Sequence, residues 1–261
     1  MIKFYQLRYT RLGQLESKTL GDNLASLKYE YAKDGMITAR TVNGARQAYE
    51  YDKKGQLLAM KDSSGKAVEA YVYDVAGNIL KKTVDGKITQ FDYDAANQLV
   101  KAYLPDGTVK DYAYDAAGRM TQEGNKTYNY GWLNKVMSIT AGDKTVAEYD
   151  YTIEGQVAKS NVNGKQETLV WDDLALVQRD GIELTNEPYV TGGNPVMTDG
   201  KVMFNDILGS TLGVATDGKF NPINRTSFGE PLANGAHNDY NFFTGKPQIE
   251  GLGYAFLFRN Y

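Results

Sequence analysis

Aromatic, polar and aliphatic positions follow one short pattern that recurs along most of this chain. Each copy begins with two aromatic residues that are separated by one residue of any type. Three further residues come next, and then a Gly or Asn, a polar residue and an aliphatic residue. A repeat of this length predicts an array of units, each of which buries its apolar face only against its neighbours. With the second aromatic as the marker, the copies lie 16 to 22 residues apart at Tyr9, Tyr31, Tyr51, Tyr73, Tyr93, Tyr114, Tyr130, Tyr151 and Trp171.

The paired aromatic residues predict one face of a β-strand. Side chains two positions apart, such as Tyr71 and Tyr73, point to the same side of a strand. The sixth residue after each marker is always apolar, and in seven of nine copies a Gln, Asn, Arg or Lys precedes it. This polar-then-apolar step predicts a second strand with one buried face. We expect each tyrosine ring to pack on a half-buried surface while its hydroxyl reaches water.

The positions between these two strands predict a tight turn. Four residues after the marker, Asn replaces Gly in two copies, and these two residues hold a positive φ most easily. The residue after the marker is often Asp, whose carboxylate accepts backbone N–H groups in turns. In the last copy Ala175 takes the glycine position, which predicts a different turn there. The candidate turn positions are Gly55, Gly77, Asn97, Gly118 and Gly155, and the candidate capping carboxylates are Asp52, Asp74, Asp94 and Asp115.

A second turn signal separates successive copies. Dipeptides such as Asn43-Gly44 and Asp85-Gly86 between alternating runs are the strongest short-range indication of a hairpin. Each repeat is therefore predicted as strand, turn, strand and turn, with strands of ~7–8 residues. The predicted fold class is all-β: antiparallel β-hairpin repeats that form a curved or spiral sheet or a barrel-like shell. We expect a repeat region over residues 1–200, with about nine repeats of 20–22 residues, and a separate segment over 201–261.

The bulk composition excludes several classes of function. The 261 residues carry a net charge of −3, which gives no general electrostatic reason to expect a nucleic-acid partner. The chain has no Cys, which removes disulfides, thiolate metal sites and cysteine nucleophiles. It has no apolar run of about 18 residues, so we predict no membrane span. We expect no cofactor and no catalytic residue, because His237 is the only histidine and no G-x-S-x-G motif surrounds a serine.

Two sets of repeated side chains also allow a binding role. The repeated carboxylates at Asp52, Asp74, Asp94 and Asp115 suggest a calcium ladder, but calcium loops concentrate their oxygen ligands within a dozen residues and no such run exists here. The tyrosine stripes suggest stacking on sugar rings, although cross-strand packing explains them as well. Packing is also the favoured role for Trp132 and Trp171, and a loop position is favoured for His237.

The motifs resemble those of a known family. The repeated Tyr-Asp-x-x-Gly-x-Leu resembles the YD repeats of the RHS (rearrangement hotspot) family, which includes the teneurins and the C components of insecticidal toxin complexes. The stretches Phe204–Ser210, Ser227–Leu232 and Phe243–Pro247, followed by Gly251–Tyr261, are similar in order and content to the RHS-associated core. The core-like positions are Gly209, Ser210, Gly229, Gly245 and Arg259.

The resemblance implies a non-enzymatic structural shell. In such proteins the repeats wind into a hollow shell that encloses a C-terminal effector, commonly a toxin, and helps deliver it to another cell. It also implies a secreted or bacterial cell-surface protein, of which this chain is a fragment. Self-cleavage near an Asp-Pro dipeptide is not carried over, because no proline here follows an Asp. The alternative is a cell-surface adhesin module that binds glycans or a protein through its tyrosine stripes. The cargo and the oligomeric state stay open.

Overall fold

The structure, a computed structural model, describes residues 5–21, 23–131, 134–187, 193–232 and 239–255. Strands and turns account for the regular structure within these ranges. The strands are β1 Tyr5–Tyr9, β2 Leu15–Leu20, β3 Ala25–Tyr31, β4 Ile37–Val42, β5 Ala45–Tyr51, β6 Leu57–Lys61, β7 Ala67–Tyr73, β8 Ile79–Val84, β9 Lys87–Tyr93, β10 Leu99–Tyr103, β11 Val109–Tyr114, β12 Met120–Glu123, β13 Lys126–Tyr130, β14 Val136–Ala141, β15 Lys144–Tyr151, β16 Val157–Val162, β17 Lys165–Asp172, β18 Ala175–Arg179, β19 Ile182–Asn186, β20 Pro195–Thr198, β21 Lys201–Asn205, β22 Thr211–Thr216, β23 Lys219–Pro222, β24 Phe242–Phe243, β25 Lys246–Ile249 and β26 Gly253–Tyr254.

The strands form an antiparallel meander, in which each strand pairs with the next one along the chain. This order holds from β1 to β12 and again from β14 to β23. Strands β1–β23 belong to one sheet, and β24–β26 form a second sheet of three strands. The predicted all-β class built from antiparallel hairpins is therefore confirmed.

The turn after each marker is a five-residue loop. After Tyr73, the N–H of Asp74 bonds to the carbonyl of Asn78 at 2.9 Å, and the N–H of Gly77 bonds to the carbonyl of Asp74 at 3.3 Å. This is a type I turn followed by one residue at positive φ, a common hairpin connection. The residues that hold this position are Gly13, Gly35, Gly55, Gly77, Asn97, Gly118, Asn134 and Gly155, with φ between +55° and +96°.

The turns between copies are mostly shorter. Asn43 and Gly44 have φ of +46° and +84°, as a two-residue type I′ turn requires. The turns at Gly65 and Gly107 instead repeat the five-residue loop, since Gly65 N–H bonds to the carbonyl of Asp62 at 3.0 Å. At the last marker Asp172 pairs directly with Ala175, so a two-residue loop replaces the longer one.

The strands differ in length from the predicted seven to eight residues. Strands that arrive at a turn marker, such as β3 and β15, have 7 and 8 residues. Strands that leave the turn, such as β4 and β10, have 6 and 5 residues.

The chain divides into two compact units. The first comprises Met1–Lys126 with Thr226–Phe228, and the second comprises Thr127–Arg225 with Gly229–Tyr261. In each unit one face of the strands is buried: Ala25, Leu27 and Tyr29 alternate with outward polar residues in β3. The fully buried side chains of the second unit include Ile139, Tyr149, Met203, Phe204, Phe242 and Ile249. The boundary at residue 200 stays a prediction, although β21–β23 belong to the same sheet as the repeats.

We predict that Gly77→Val destabilises the protein by about 1–3 kcal/mol, because a β-branched residue is strained at a φ of +96°. A Cβ at this position also lies 3.1 Å from Gln56 Nε2. Urea unfolding followed by circular dichroism measures the change. The matched control is Gly77→Asn, since Asn97 holds the equivalent position at a φ of +60°. Equal losses for Val and Asn, or none for Val, would contradict the turn geometry.

Candidate functional site

In six copies the second aromatic donates a hydrogen bond to the preceding repeat. The Tyr73 hydroxyl donates to the carbonyl of Leu57 at 2.8 Å, and Trp171 Nε1 donates to the carbonyl of Val157 at 2.8 Å. The expectation that these hydroxyls reach water is therefore wrong for the copies with such a bond. The other bonds run from Tyr31 to Leu15 at 2.6 Å, from Tyr51 to Ile37 at 3.0 Å, from Tyr93 to Ile79 at 3.1 Å and from Tyr151 to Val136 at 2.7 Å.

The acceptor in each bond is a carbonyl at the end of a strand ladder. Ile37 pairs with the marker Tyr31 on one side. On its other side the pairing with β5 begins only at Ala39, so the carbonyl of Ile37 lies beyond that ladder. A register shift accompanies this arrangement next to Tyr31, and such bulges interrupt ladder pairing. The hydroxyl of Tyr51 thus satisfies a carbonyl that the strands leave over.

The chemistry of the bond explains which residues occupy the marker position. The donor must be a side-chain O–H or N–H, which Tyr and Trp provide and Phe lacks. At the first aromatic position the Tyr71 hydroxyl donates to Glu69, and the chain also accepts Phe91 and Leu169 there. We refer to the marker side chains and their acceptor carbonyls as the donor ladder.

Sequence reasoning missed two members of the donor ladder. Asn186 Nδ2 donates to the carbonyl of Leu176 at 2.9 Å, and Asn205 Nδ2 donates to the carbonyl of Pro195 at 2.7 Å. In both cases the acceptor pairs with the preceding marker, as in the tyrosine copies. The available signal was the segment after Asn205, which has the Asp-x-x-Gly spacing of the other turns at Asp206 and Gly209.

The four candidate carboxylates accept backbone N–H groups within their own turns. Asp52 Oδ1 accepts from Lys54 N and Gln56 N, both at 2.8 Å. Asp94 and Asp115 make the same pair of bonds. Asp74 accepts from the N–H of Asn78 at 2.8 Å. The side-chain hydrogen bond from Asn78, followed by the backbone N–H bonds of the same turn, lowers the pKa of Asp74. Among the described residues, no group of three or more acidic or histidine side chains is arranged to hold a metal ion.

Polar residues that follow the turn glycines connect each turn to the next repeat. Asn78 Nδ2 donates to Asn97 Oδ1 at 2.8 Å, and Gln156 Nε2 donates to the carbonyl of Asp173 at 2.8 Å. The absence of a Cβ at Gly77 leaves room for the amide of Gln56. The polar position of the pattern therefore couples neighbouring turns.

The core-like positions of the second unit lie close together. The N–H of Gly245 bonds to the carbonyl of Gly209 at 3.2 Å, and the N–H of Thr244 bonds to Ser210 Oγ at 3.0 Å. Both glycines face Asn194, because a Cβ on either would come within 2.7 Å of Asn194 Oδ1. A Cβ on Gly229 would lie 2.9 Å from the Phe243 ring. Arg259, Trp132 and His237 lie outside the described residues.

Buried polar side chains hold the distal segments on the sheet. In the first unit, Glu69 in β7 is 2% exposed and accepts from the N–H of Ser227 at 3.1 Å and from the Tyr71 hydroxyl at 2.8 Å. In the second unit, Arg179 in β18 donates to the carbonyls of Asp239 at 2.8 Å and Gln248 at 2.9 Å. Charged side chains of this kind hold a backbone segment in place through hydrogen bonds to its N–H and C=O groups.

Burial raises the pKa of the marker tyrosines Tyr51, Tyr73 and Tyr93. Burial and the nearby charge of Glu123 raise the pKa of Tyr112 to about 12. Burial disfavours the phenolate because it withdraws the hydroxyl from water, and the Glu123 carboxylate disfavours it by charge repulsion.

The sequence profile named Teneurin YD-shell matches residues 9–175, which is well over half of the chain. This chain belongs to the teneurin YD-shell family. The family is a structural shell domain, and the resemblance of the repeats to RHS/YD proteins is confirmed. The donor ladder and its turns are thus features of a YD-shell wall. Within the described ranges, no helix has the length and apolar character needed to cross a bilayer.

A solved structure shares the fold of this YD-shell chain. A crystal structure of TcdB2-TccC3 matches all of the chain, with 12% identity and a TM-score of 0.63, and the match covers 18% of that protein. A structure of the Photorhabdus luminescens Tc holotoxin pore matches 99% of the chain and 18% of its own length, with 13% identity and a TM-score of 0.48. The tRNA3(Ser)-specific nuclease WapA of Bacillus spizizenii is 28% identical over 42% of the chain, which spans only 4% of that nuclease.

We predict that Tyr73→Phe lowers the free energy of unfolding by about 1–3 kcal/mol, because it removes one hydrogen bond and leaves the Leu57 carbonyl unsatisfied. Urea unfolding measures the loss. Tyr9→Phe is the matched control: the Tyr9 ring is 57% exposed, and its hydroxyl makes no hydrogen bond to a described residue. The donor ladder is contradicted if both variants lose the same stability.

We also predict that stability falls at alkaline pH. The pKa values of the marker tyrosines are raised on folding from an unfolded value near 10. The folded state therefore holds these protons more tightly, and its advantage is complete below pH 10 and is lost as the pH rises through the raised pKa values of the folded state. Urea midpoints from pH 8 to 11.5 measure this, with the phenolate absorbance at 295 nm recorded in parallel. A midpoint that does not fall while phenolate forms would contradict the burial of these hydroxyls.

Proposed function

We propose that this chain is a segment of the wall of a protein shell that encloses a C-terminal effector polypeptide of its parent protein. The wall itself is not an enzyme. The observation that carries the proposal is the donor ladder, which satisfies the carbonyls left over at the ladder ends and couples each repeat to the one before it. A wall that must separate a cargo from the solvent needs this continuity, because an unpaired backbone group is a point of opening.

The structural similarity to a toxin-complex protein supports the proposal that the cargo is a C-terminal effector. The fold of the chain is that of part of a protein in TcdB2-TccC3, and a C-terminal effector is the cargo that the RHS resemblance implies. We propose that the parent protein is secreted or displayed on a bacterial surface and serves in competition between cells. The shell then keeps its effector inactive until delivery.

The burial of the tyrosine rings argues against the adhesin alternative. Sugar stacking needs an exposed aromatic face, whereas Tyr29, Tyr71 and Tyr149 are 5%, 3% and 2% exposed. The marker residues after Tyr9 are half-buried, and their hydroxyls donate to backbone carbonyls where the bonds are described. Binding of a glycan to these stripes would require the sheet to lose its packing.

We predict that the C-terminal region of the parent protein resists trypsin while the shell is intact. A double variant, Tyr73→Phe with Tyr93→Phe, weakens two neighbouring ladder bonds, so the C-terminal region becomes cleavable at a lower urea concentration than in the wild type. The appearance of C-terminal fragments on a gel measures this.

The control is Tyr103→Phe, whose hydroxyl binds Asp92 on an exposed site and not a ladder carbonyl. A C-terminal region that trypsin removes equally fast from all variants in buffer contradicts enclosure. Glycan-array binding that is lost in Tyr→Ala variants without loss of folding would support the adhesin instead.

A further inference from the structure

Strands β15, β16 and β17 of the second unit carry a polar groove on the face opposite to their buried side chains. The strand register places Tyr149 opposite Ser160 and Ser160 opposite Glu167, and these three residues are 2%, 5% and 4% exposed. The residues that alternate with them therefore project from the other face. Five polar residues of that face line a groove of about 570 Å³: Glu148, Asp150, Lys159, Asn161 and Gln166.

The side chains of these five residues make no hydrogen bond or ion pair within the part of the chain that the structure describes. Asp150 and Lys159 lie directly opposite each other on neighbouring strands and still form no ion pair. In the first unit Lys101 and Asp111 are opposed in the same way, and their charged atoms lie 3.3 Å apart. A ligand in the groove would therefore find donors and acceptors that the protein itself does not use.

The charges of the groove indicate the class of ligand. Glu148 and Asp150 repel an anion, while Lys159, opposite Asp150, repels a cation. The amides of Asn161 and Gln166 each provide donors and an acceptor. An uncharged ligand that carries donors and acceptors together satisfies both sets of groups. Hydroxyl groups have this property, since each donates one hydrogen bond and accepts others.

We propose that this groove binds a neutral oligosaccharide of two or three sugar units. Its volume lies within the range of about 300–1,000 Å³ that is usual for small-molecule sites. The sugar hydroxyls donate to the carboxylates and accept from the Lys159 ammonium and the two amides. Met137, which is 36% exposed, provides an apolar surface for the C–H groups of a sugar ring.

The proposed site is separate from the tyrosine stripes. Tyr149 belongs to the buried face of the same strands, so binding in the groove leaves the packing of the sheet intact. The proposal also does not depend on the enclosure of a cargo.

An extended peptide is a poorer occupant of the groove. Strands β15, β16 and β17 are each paired on both sides, so they offer no open edge to which a peptide strand could add. Met137 is the one exposed apolar side chain among the described residues that line the groove. The apolar side chains of a peptide would therefore find little surface to bury.

The test titrates the ¹⁵N-labelled 261-residue chain with maltotriose, cellotriose and triacetylchitotriose, each up to about 10 mM. We expect at least one of them to shift the amide resonances of β15–β17 in a saturable way. The double variant Asp150→Ala with Asn161→Ala removes a carboxylate and an amide from the groove, and we expect it to bind at least tenfold more weakly. Because neither side chain bonds to a described residue, the unfolding midpoint in urea should be retained.

The matched control is Lys101→Ala with Asp111→Ala, which removes an exposed charge pair of the first unit and should leave the affinity unchanged. No saturable shift with any of the three sugars overturns the proposal, as does equal affinity in the folded Asp150→Ala, Asn161→Ala variant. Equally tight binding of the anionic sugar 3′-sialyllactose overturns the charge argument on which the ligand class rests. Tighter binding of acetylated and amidated tetraserine at the same amides overturns the proposal in favour of a peptide.

Discussion

The hydrogen bond from a marker side chain to the last unpaired carbonyl of the preceding repeat is the constraint on which this structure depends. A five-residue turn places a bulge beside the marker, and the bulge leaves one carbonyl beyond the strand ladder. A buried carbonyl without a partner costs about 1–3 kcal/mol. The donor from the next repeat removes that cost. The carbonyl at the turn of one repeat can therefore be buried without this cost only when the next repeat is present. This makes each repeat a condition for the stability of its neighbour.

The same constraint accounts for much of the repeat sequence. The marker needs a side-chain donor, which explains Tyr and the single Trp171. The turn needs a residue at positive φ, and the absence of a Cβ at Gly77 also admits the amide of Gln56. The capping Asp satisfies the N–H groups inside the loop. Repeats that present the same two edges can pair side by side, and these features therefore build the wall of a shell.

The sequence was sufficient to predict the all-β fold, the hairpin order and the position of most turns, because period-two alternation and Asn-Gly or Asp-Gly dipeptides are local signals. It was insufficient for the donor ladder, since a hydroxyl that faces water and one that faces a carbonyl look the same in one sequence. Asn186 and Asn205 were missed because their aromatic pattern is lost while the donor function remains. The docking of Glu69 on Ser227 joins residues 158 positions apart, which no local pattern reveals.

The most direct test observes the acceptor carbonyl itself. Leu57-Leu58 is the only Leu-Leu pair in the chain, so labelling leucine with carbonyl ¹³C and amide ¹⁵N isolates the Leu57 carbonyl in an NMR spectrum. The account predicts that Tyr73→Phe moves this carbonyl resonance upfield, as the loss of a hydrogen bond requires, while Tyr71→Phe leaves it in place because the Tyr71 hydroxyl binds Glu69. A Leu57 carbonyl resonance that is the same in the wild type and in Tyr73→Phe would contradict the donor ladder.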